Sequence, residues 1–562
     1  MNRRPTPVYS SLVAGTRNMG DVAPGLERTN RYRPRTQPGE TERNTYFNQN
    51  VENCPGSQST NSTPESPDYD HQRLRGDHYQ RRCNSVGFWD YKMKHVRRQV
   101  FVQWIRTTFI LFIFIFSVLC LCWGVLSGAN SRVNNLAVHV VDFDGQVPPY
   151  NNVTPIVGPT MTNLTQRILL ETDATSSLGY DVIPARQYGY DPLAVRHAVY
   201  ERDCWAAVII NSNATALLLA AAQQGNSSYD PSGAIQYVVQ TARQEMTNYG
   251  YIQPRLRELT SLFLDDFGVA WTKMLLSNNS FNPNVMALAP QVVNPGVMPV
   301  EVDLRPFRPG VAAPAVSIAL IYLIIVAFFS FSFFMPIHIK FIQTHNHPAL
   351  HYWQLIIWRW SATMVSYVFI SLAYSLVSLA FGIHFSRQPA SDVDVATNAT
   401  AYGRASFPIY WGVNFAGMAA LGLACENAAM IMGQPWTALW LLFWVISNVA
   451  TSFYSLELAP SFFAFGRAWP LYHVVQASRQ IIFDLKSDMT LNIGVLAAWI
   501  AADTALFPLC CYLMRWRMEH GLREADRTKD CFIVATVEGS MEVPKREGDK
   551  QPKFKRGFMR GM

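Results

Sequence analysis

Six long apolar segments constrain this chain more than any other feature of its sequence. A helix needs about 20 apolar residues to cross the hydrocarbon core of a bilayer, and each segment has roughly that length. Charged residues make up only 15% of the chain. The sequence therefore predicts a polytopic α-helical membrane protein with about six transmembrane helices. The predicted spans are residues 107–129, 312–335, 355–383, 408–432, 435–457 and 491–514.

Basic residues flank the first and last spans and indicate the orientation of the chain. Because Lys and Arg are retained on the cytosolic side, both tails, 1–106 and 515–562, are expected to be cytosolic. The first tail is rich in Arg, Asn, Pro, Ser and Thr, which predicts a disordered segment. Orientation and anionic lipid explain the net charge of +7, so no nucleic-acid partner is expected. The flanking residues are Lys92, Lys94, Arg97, Arg98 and Arg106, and then Arg515, Arg517, Arg523, Arg527 and Lys529.

The segment 130–311, between the first two spans, is long enough for a domain of its own. Apolar runs at Leu136–Phe143 and Trp205–Asn211 predict buried strands, and helical periodicity covers Ala214–Gln224 and Ala234–Leu264. We expect a glycosylated α/β domain on the exoplasmic side. Apart from Asn61 in the first tail, the Asn-x-Ser/Thr sites for N-glycosylation lie in exoplasmic loops. They are Asn152, Asn163, Asn213, Asn226, Asn278 and Asn398.

Residues 458–490, between the last two spans, are too apolar for an ordinary loop. Within them, Leu471–Asp484 has the pattern of an amphipathic helix that lies at the outer membrane face. The sequence therefore predicts a re-entrant or interfacial hairpin in this place.

Two carboxylates lie inside the predicted spans. A charge left unpaired in lipid costs about 3 kcal/mol, so Glu426 and Asp503 should face a cavity or a partner. They are candidates for a proton relay or a polar substrate site. The alternative is a protonated or hydrogen-bonded structural role. Asn414 and Asn448 are candidate neighbours for these two carboxylates.

Basic residues near the cytosolic ends of the second and third spans have mainly structural interpretations. Arg359, between Trp358 and Trp360, is predicted to be an anchor at the membrane interface. Four histidines could ligate zinc or copper, but their irregular spacing favours interfacial polar residues, so no metal is expected. They are His338, His345, His347 and His351.

Small residues repeat every four positions along the fourth span, so that one helical face has almost no bulk. This pattern predicts tight packing inside the bundle or in a dimer, and a sliding surface is the alternative. The residues are Gly412, Ala416, Ala420, Ala424 and Ala428.

Motifs for common enzymes are absent from the sequence. It contains no G-x-x-x-x-G-K-[ST] phosphate loop, no G-x-S-x-G elbow and no H-E-x-x-H pair. Asp142 and Asp144 in VVDFDG follow a strand as the aspartates of haloacid-dehalogenase-type phosphatases do, but a strand followed by Asp-Gly is a common turn. We therefore expect neither an enzymatic activity nor a cofactor.

The order of parts, one helix, an α/β domain and then five helices, resembles the fungal nitrosoguanidine-resistance membrane protein family. Local strings over about residues 100 to 515 carry the same resemblance: LAVHVVDFDG, CWAAVIINSNAT, DLRPFRPGVAAPAVSIALIYLIIVAFF and NVATSFYSLELAPSFFAFGRAWPLYHVVQASRQIIFD. The layout is also distantly similar to the membrane domains of type-2 ABC exporters, without their nucleotide-binding half. The last string is the most specific, and it contains candidate functional positions at Glu457, Pro460, Arg467, Pro470, His473 and Arg479.

The resemblance implies a plasma-membrane protein that affects tolerance to toxic compounds and the distribution of phospholipids. One hypothesis is a transporter-like protein that moves amphipathic drugs or phospholipids without its own ATPase, with Asp503 or Glu426 as proton carrier. The alternative is a non-transporting regulator of membrane lipid organisation or stress response. Carboxylates inside the membrane favour transport. Expected partners are membrane lipids, a small amphipathic substrate, and a homodimer or another membrane protein.

Overall fold

The computed structural model describes residues 86–171, 176–277, 281–341, 348, 350–433 and 436–538. Residues 1–85 of the predicted disordered tail and the end of the C-terminal tail lie outside these residues. Residues 94–106 of that tail are helical, so the prediction of disorder is wrong there. The helices are α1 (Lys94–Gly124), α2 (Val157–Glu171), α3 (Pro192–Tyr200), α4 (Ala214–Gln224), α5 (Gln253–Ser277), α6 (Ile321–Ile339), α7 (Tyr352–Ala380), α8 (Ser406–Met432), α9 (Thr437–Ser452), α10 (Pro470–Phe483) and α11 (Met489–Glu538). Short helical turns occur at Glu245–Thr247, Pro283–Met286, Pro290–Val293 and Ala313–Val316.

Apolar runs form long helices because a helix satisfies its backbone hydrogen bonds internally, as lipid requires. Among the described residues, the five helices α1, α6, α7, α8 and α11 are long and apolar enough to cross a membrane. The apolar helix α9 has only 16 residues. The prediction of a polytopic helical membrane protein is confirmed.

Two spans start far from their predicted first residues. α1 starts at Lys94 because the basic segment continues the helix on its N-terminal side. The second span starts as a helix only at Ile321, because Ser317 leaves the helical region with φ −144 and ψ −102. Residues 310–320 instead form short turns ahead of the span.

A five-stranded mixed sheet forms the centre of the domain between α1 and α6. Its order is β2-β1-β3-β4-β5; β1 pairs in parallel with β2 and β3, β3 and β4 are antiparallel, and β5 is parallel to β4. The sheet and its helices confirm the predicted α/β class. The strands are β1 (Ala137–Asp142), β2 (Gly179–Pro184), β3 (Ala206–Ile210), β4 (Ile235–Val239) and β5 (Val300–Asp303).

Both faces of the sheet are covered, so β3 is buried along its whole length. Val138 and Val140 point into the core that contains Phe263 of α5. Val141 points to the opposite face, where Val195 of α3 packs. The alternation along β1 therefore places α2, α4 and α5 on one face and α3 on the other.

The predicted helix over Ala234–Leu264 is wrong in its first half. Residues Ile235–Val239 form β4, and the long helix starts only at Gln253. The sequence IQYVV is rich in β-branched and aromatic residues, and it pairs antiparallel with β3 from Ala206 to Ile210. Pairing with a neighbouring strand outweighs the helical periodicity in this segment.

α8 is the central helix of the bundle, and its closest packing is not along the predicted stripe. A side chain at Gly417 would collide with Val474 of α10, and one at Gly422 with Tyr367 of α7. Gly412, at the start of the predicted stripe, is exposed and has no atom within 4 Å of an added side-chain carbon. Ala416 is half-buried, and only the later stripe residues Ala420, Ala424 and Ala428 lie in the core.

α10 is enclosed by protein, whereas the sequence predicts an amphipathic helix with one face on the membrane surface. Twelve of its 14 residues are buried. Val474 packs against α8, and Arg479 reaches Glu245 of the domain, with Nη2 2.5 Å from Oε2. The helix therefore lies between the bundle and the domain.

Buried charges hold the domain to the bundle at the C-terminal end of α10. Arg305, which is 1% exposed, donates to the carboxylate and the carbonyl of Asp484 at 3.1 and 3.0 Å. It also donates to the carbonyls of Ser391 and Asp394 in the loop between α7 and α8. This loop and residues 453–488 therefore mark the domain end of the bundle, and the α6–α7 and α8–α9 connections mark its opposite end.

Candidate functional site

A buried ion pair lies inside the bundle towards its opposite end. Nη2 of Arg359, in the second turn of α7, donates to Oε1 of Glu426 in α8 at 2.6 Å. Their side chains are 0% and 2% exposed. Since an isolated charge is costly in lipid, the contact between the two groups offsets part of the cost of burying them.

The remaining atoms around the pair come from three helices. Thr363 donates to Oε2 of Glu426 at 3.1 Å, so both carboxylate oxygens have partners. Nη1 of Arg359 lies 3.0 Å from the sulfur of Met430, and Cys511 and Met514 of α11 place sulfur atoms 3.7 Å away. The pair thus joins α7, α8 and α11 through a polarisable surrounding.

Arg359 is not the interface anchor that the sequence predicts. Its guanidinium points into the bundle, whereas the adjacent Trp358 is 45% exposed. The sequence contains a signal for this environment, because Thr363 follows Arg359 by four positions and so lies on the same helical face. The partner itself is 67 positions away in the chain, beyond the reach of helical periodicity.

Asp503 in α11 is a second buried carboxylate of the bundle and has a different partner. Nδ2 of Asn427 donates to the carbonyl of Asp503 at 3.0 Å and to its Oδ1 at 3.2 Å. Its Oδ2 is buried and has no hydrogen-bond partner among the described residues. Of the two carboxylates, Asp503 is therefore the one with a free oxygen that could take a proton.

The predicted neighbours Asn414 and Asn448 lie elsewhere in the bundle. Asn414 donates to the hydroxyl of Ser375 at 3.0 Å. Asn448 donates to the carbonyl of Trp444 and accepts from the backbone N–H of Leu471 at 3.2 Å, which fixes the start of α10. Asn427, which directly follows Glu426 in the sequence, is the amide that sequence reasoning missed.

A cavity of about 410 Å³ lies beside the ion pair, at the opposite end of the bundle. Met430 belongs both to its wall and to the surroundings of Arg359. Its wall is mostly apolar, and Arg517 donates to the carbonyl of Ile431 there. An apolar cavity with a cationic residue suits an amphipathic molecule. The lining residues are Phe331, Ser332, Met335, Pro336, Ala429, Met430, Gly433, Thr437, Met514 and Arg517.

The six candidate positions of the outer hairpin are spread over the connection between the bundle and the domain. Pro460 precedes the turn Ser461–Ala468, and Pro470 is the first residue of α10. The hydroxyl of Ser455 donates to Glu457 at 2.7 Å. The two ring nitrogens of His473 lie 2.9 Å from Oδ1 of Asn492 and 2.8 Å from the carbonyl of Arg467.

Arg479 completes this group from the middle of α10. It is 1% exposed, and besides Glu245 it binds the carbonyl of Ala242 at 3.1 Å. The hairpin candidates thus mainly hold structure together, with Glu457 at the edge of a second, small cavity.

Histidines and carboxylates do not form a compelling metal site in the described part of the chain. His345 and His347 lie outside the described residues, and Nδ1 of His338 lies 3.2 Å from the indole nitrogen of Trp358. One atom each from His197, Glu201 and Asp392 lie within 4.8 Å of one another. Lys486 already binds Glu201 at 3.1 Å, and His197 and Asp392 are 51% and 46% exposed. An ion-pair network explains the cluster.

Asp142 and Asp144 serve the fold of the domain. Asp144 is 0% exposed and accepts from the backbone N–H groups of Gly158 and Thr215, at the starts of α2 and α4. Asp142 accepts from the backbone N–H of Asp144 at 2.8 Å. The carboxylate of Asp144, bound to two helix N-termini, and that of Asp142, bound to the backbone of Asp144, explain this motif without a phosphate ligand.

The glycosylation sites of the domain differ in accessibility. Asn152, Asn163 and Asn226 are exposed, and Asn213 is half-buried. Asn278 lies outside the described residues. Asn398, in the α7–α8 loop, is half-buried, and its Oδ1 is fully buried.

Residues 107–505 match a protein family that is described as "Protein of unknown function (DUF3533)". The chain is also similar to the "Uncharacterized endoplasmic reticulum membrane protein YJR015W" of Saccharomyces cerevisiae. The two are 24% identical over 441 residues, which cover 76% of this chain and 82% of the yeast protein. No solved structure matches. The name of the yeast protein agrees with the apolar helices described above.

Proposed function

This chain belongs to the family described as "Protein of unknown function (DUF3533)", and from that premise we propose that it is a transporter-like membrane protein. It moves amphipathic drugs or phospholipids across its membrane without an ATPase of its own, and so confers resistance to toxic compounds. The resemblance to the nitrosoguanidine-resistance proteins supports the proposed role in resistance to toxic compounds. The membrane halves of type-2 ABC exporters offer a more distant likeness in layout.

The observation that carries the proposal is the apolar cavity of about 410 Å³ beside the Arg359–Glu426 pair. Sites for drug-sized ligands have volumes of about 300–1,000 Å³ and combine apolar walls with a few polar groups. The cavity meets both criteria. A purely structural bundle needs neither such a cavity nor buried charges next to it.

Asp503 is the proton carrier in this proposal. The carboxylate of Glu426 is engaged by Arg359 and Thr363, whereas Oδ2 of Asp503 has no partner among the described residues. Moving one charge through a membrane potential supplies about 2.3 kcal/mol per 100 mV. This source can replace ATP hydrolysis.

The proposal includes no enzymatic step and no nucleic-acid partner. The buried hydrogen bonds of Asp144 support a structural role for the VVDFDG motif. Membrane lipids and a small amphipathic substrate are the proposed partners. Because α1 buries only Val118, its long apolar surface is available for lipid, a second copy or another membrane protein.

We place the protein in the plasma membrane with both termini in the cytosol. The positive-inside pattern supports the orientation, and the resemblance supports the compartment. The name of the yeast relative assigns that protein to the endoplasmic reticulum. Imaging of a tagged chain at native expression level, with markers for both membranes, distinguishes the two compartments.

The test is reconstitution of the purified full-length protein into proteoliposomes. Movement of a fluorescent phospholipid or a toxic amphiphile is measured with and without a proton gradient. We expect gradient-dependent movement that Asp503→Asn abolishes, while Asp265→Asn, at an exposed position of the domain, leaves it unchanged. Movement that ignores the gradient would indicate a scramblase. Absence of movement for lipid and amphiphile alike would refute transport and favour the non-transporting regulator.

A further inference from the structure

A small polar cavity of about 150 Å³ lies where the domain meets the C-terminal end of α9 and the N-terminal half of α10. We call it the junction cavity. Tyr454 follows the end of the apolar helix α9 by two residues, on the domain side of the bundle, where we expect the lipid headgroups to lie. The residues used below are Arg202, Arg243, Gln244, Tyr454, Glu457 and Tyr472, all of which line it.

Arg243 is held in a fixed orientation at the wall. Its guanidinium lies 3.7 Å above the ring of Trp205, and Nη1 donates to the carbonyl of Cys204 at 2.7 Å. Burial, with the nearby charge of Arg202, lowers the pKa of Arg243 to about 10. The group is therefore still a cation at neutral pH, and a guanidinium has further N–H donors for a ligand.

Two other side chains of the wall have unused polar atoms. Gln244 is 6% exposed; its Nε2 donates to the carbonyl of Phe453, but its Oε1 is buried without a partner among the described residues. Arg202 donates through Nη1 to Asp488 at 2.7 Å, and its buried Nε has no partner there. Each such atom costs about 1–3 kcal/mol unless something binds it.

The cavity combines charges of both signs. Glu457 faces the two arginines from the bundle side. The hydroxyl of Ser455 donates to its Oε2, which leaves Oε1 for a ligand as far as the described residues show. Two guanidiniums complement a phosphate, and a carboxylate with aromatic rings complements an ammonium group. The volume is below the roughly 300 Å³ of the smallest drug sites.

We propose that the junction cavity binds the zwitterionic headgroup of a glycerophospholipid from the leaflet on the domain side. Arg243 and Arg202 bind the phosphate, and Glu457 with Tyr454 and Tyr472 binds the ammonium group. The acyl chains remain in the bilayer. This inference rests on the proposed function insofar as it names a phospholipid as its substrate class.

Native mass spectrometry of the full-length protein in detergent tests the site. Phosphatidylethanolamine, phosphatidic acid and diacylglycerol are added as probes. We expect phosphatidylethanolamine to be retained best. Phosphatidic acid lacks the amine, and diacylglycerol lacks both the amine and the phosphate. Arg243→Gln should weaken retention about tenfold or more, since it removes charged hydrogen bonds. Arg257→Gln, at an exposed arginine of α5, is the matched control and should change nothing.

A second variant separates binding from misfolding, because Arg243 also supports Cys204. Glu457→Gln keeps both arginines and removes the partner of the amine, so the preference should shift towards phosphatidic acid. Damage to the fold would weaken all probes and would not invert their order. Equal retention of the three lipids by the unmodified protein, or an unchanged order in Glu457→Gln, refutes the proposal.

Glycerophosphoethanolamine distinguishes a lipid from a soluble phosphoester. If this headgroup without acyl chains displaces the bound lipid at equal concentration, the natural ligand is soluble and the lipid assignment fails. Headgroup-selective binding without movement in proteoliposomes would retain the site and refute transport. Movement of lipid without headgroup-selective binding would support transport and refute the headgroup site.

Discussion

At the scale of single residues, the Arg359–Glu426 pair is the most demanding feature of the bundle. Removing one partner leaves the other charge buried, so Arg359→Met or Glu426→Gln alone should destabilise the protein by about 3–5 kcal/mol. The double variant has no unpaired charge and should lose far less. Chemical unfolding of the purified protein in detergent measures all three. Single-variant losses that simply add in the double variant would contradict coupling between the two groups.

Asp142 provides a pH-dependent test in the domain. Burial, together with the carboxylate of Asp144, raises its pKa from 3.8 to about 6. The folded domain therefore binds more protons than the unfolded chain between about pH 4 and 6, and this group's contribution to stability falls as pH rises through that window.

The expected consequence is that Asp142→Asn stabilises the protein at pH 7, by up to about 3 kcal/mol. Asparagine retains an oxygen that can accept from the N–H of Asp144 but carries no charge. Thermal unfolding from pH 4 to 7 should show a flatter pH profile for the variant. The hypothesis fails if the two profiles run parallel.

At the scale of helices and strands, α8 distinguishes glycines that are required from one that is not. Gly422→Ala and Gly417→Ala push a methyl group into Tyr367 and Val474 and should cost about 1–3 kcal/mol. Gly412→Ala has open space, so helix propensity should make it neutral or stabilising by up to about 1 kcal/mol. Unfolding of the three variants gives the ranking. If Gly412→Ala destabilises the protein, the start of the predicted stripe does pack closely against another helix or a second copy of the chain.

Residue patterns within a single segment were enough to predict several helices and strands of the domain. Alternating and continuous apolar residues identified β1 and β3, and α4 occupies the predicted range Ala214–Gln224. β4 was misread because strand pairing decides its conformation. α10 was expected at the membrane surface because an amphipathic pattern shows that one face is buried, but it cannot show that the polar face is covered by a second domain.

For the site residues, too, patterns within one helix do not identify the contacts with other helices. That Glu426 and Asp503 require partners follows from lipid as solvent. That the partners are Arg359 and Asn427 depends on how α7, α8 and α11 pack, which no periodicity within one helix encodes. The two cavities arise from several elements at once, and so they have no signature in the sequence.

At the scale of the whole molecule, the glycosylation sites test the orientation. Asn152, Asn163 and Asn226 are exposed on the domain, so replacing each by Gln should remove one glycan, seen as a mobility shift that glycosidase treatment abolishes. Asn61→Gln is the control for the opposite side of the membrane. A shift for Asn61→Gln would reverse the proposed topology.

The contacts of α10 determine when, during synthesis of the chain, the domain can bind to the bundle. Arg305 meets Asp484 across 179 positions, and Ala242 meets Arg479 across 237. The contacts at the base of the domain therefore cannot form while the ribosome makes helices α6 to α9, and they form only when α10 has been made. A chain that stops after α9 exposes Arg305 and Glu245 without their partners. We expect such an unfinished chain to be less stable than the full-length protein, because these charges are then left without the contacts that α10 supplies.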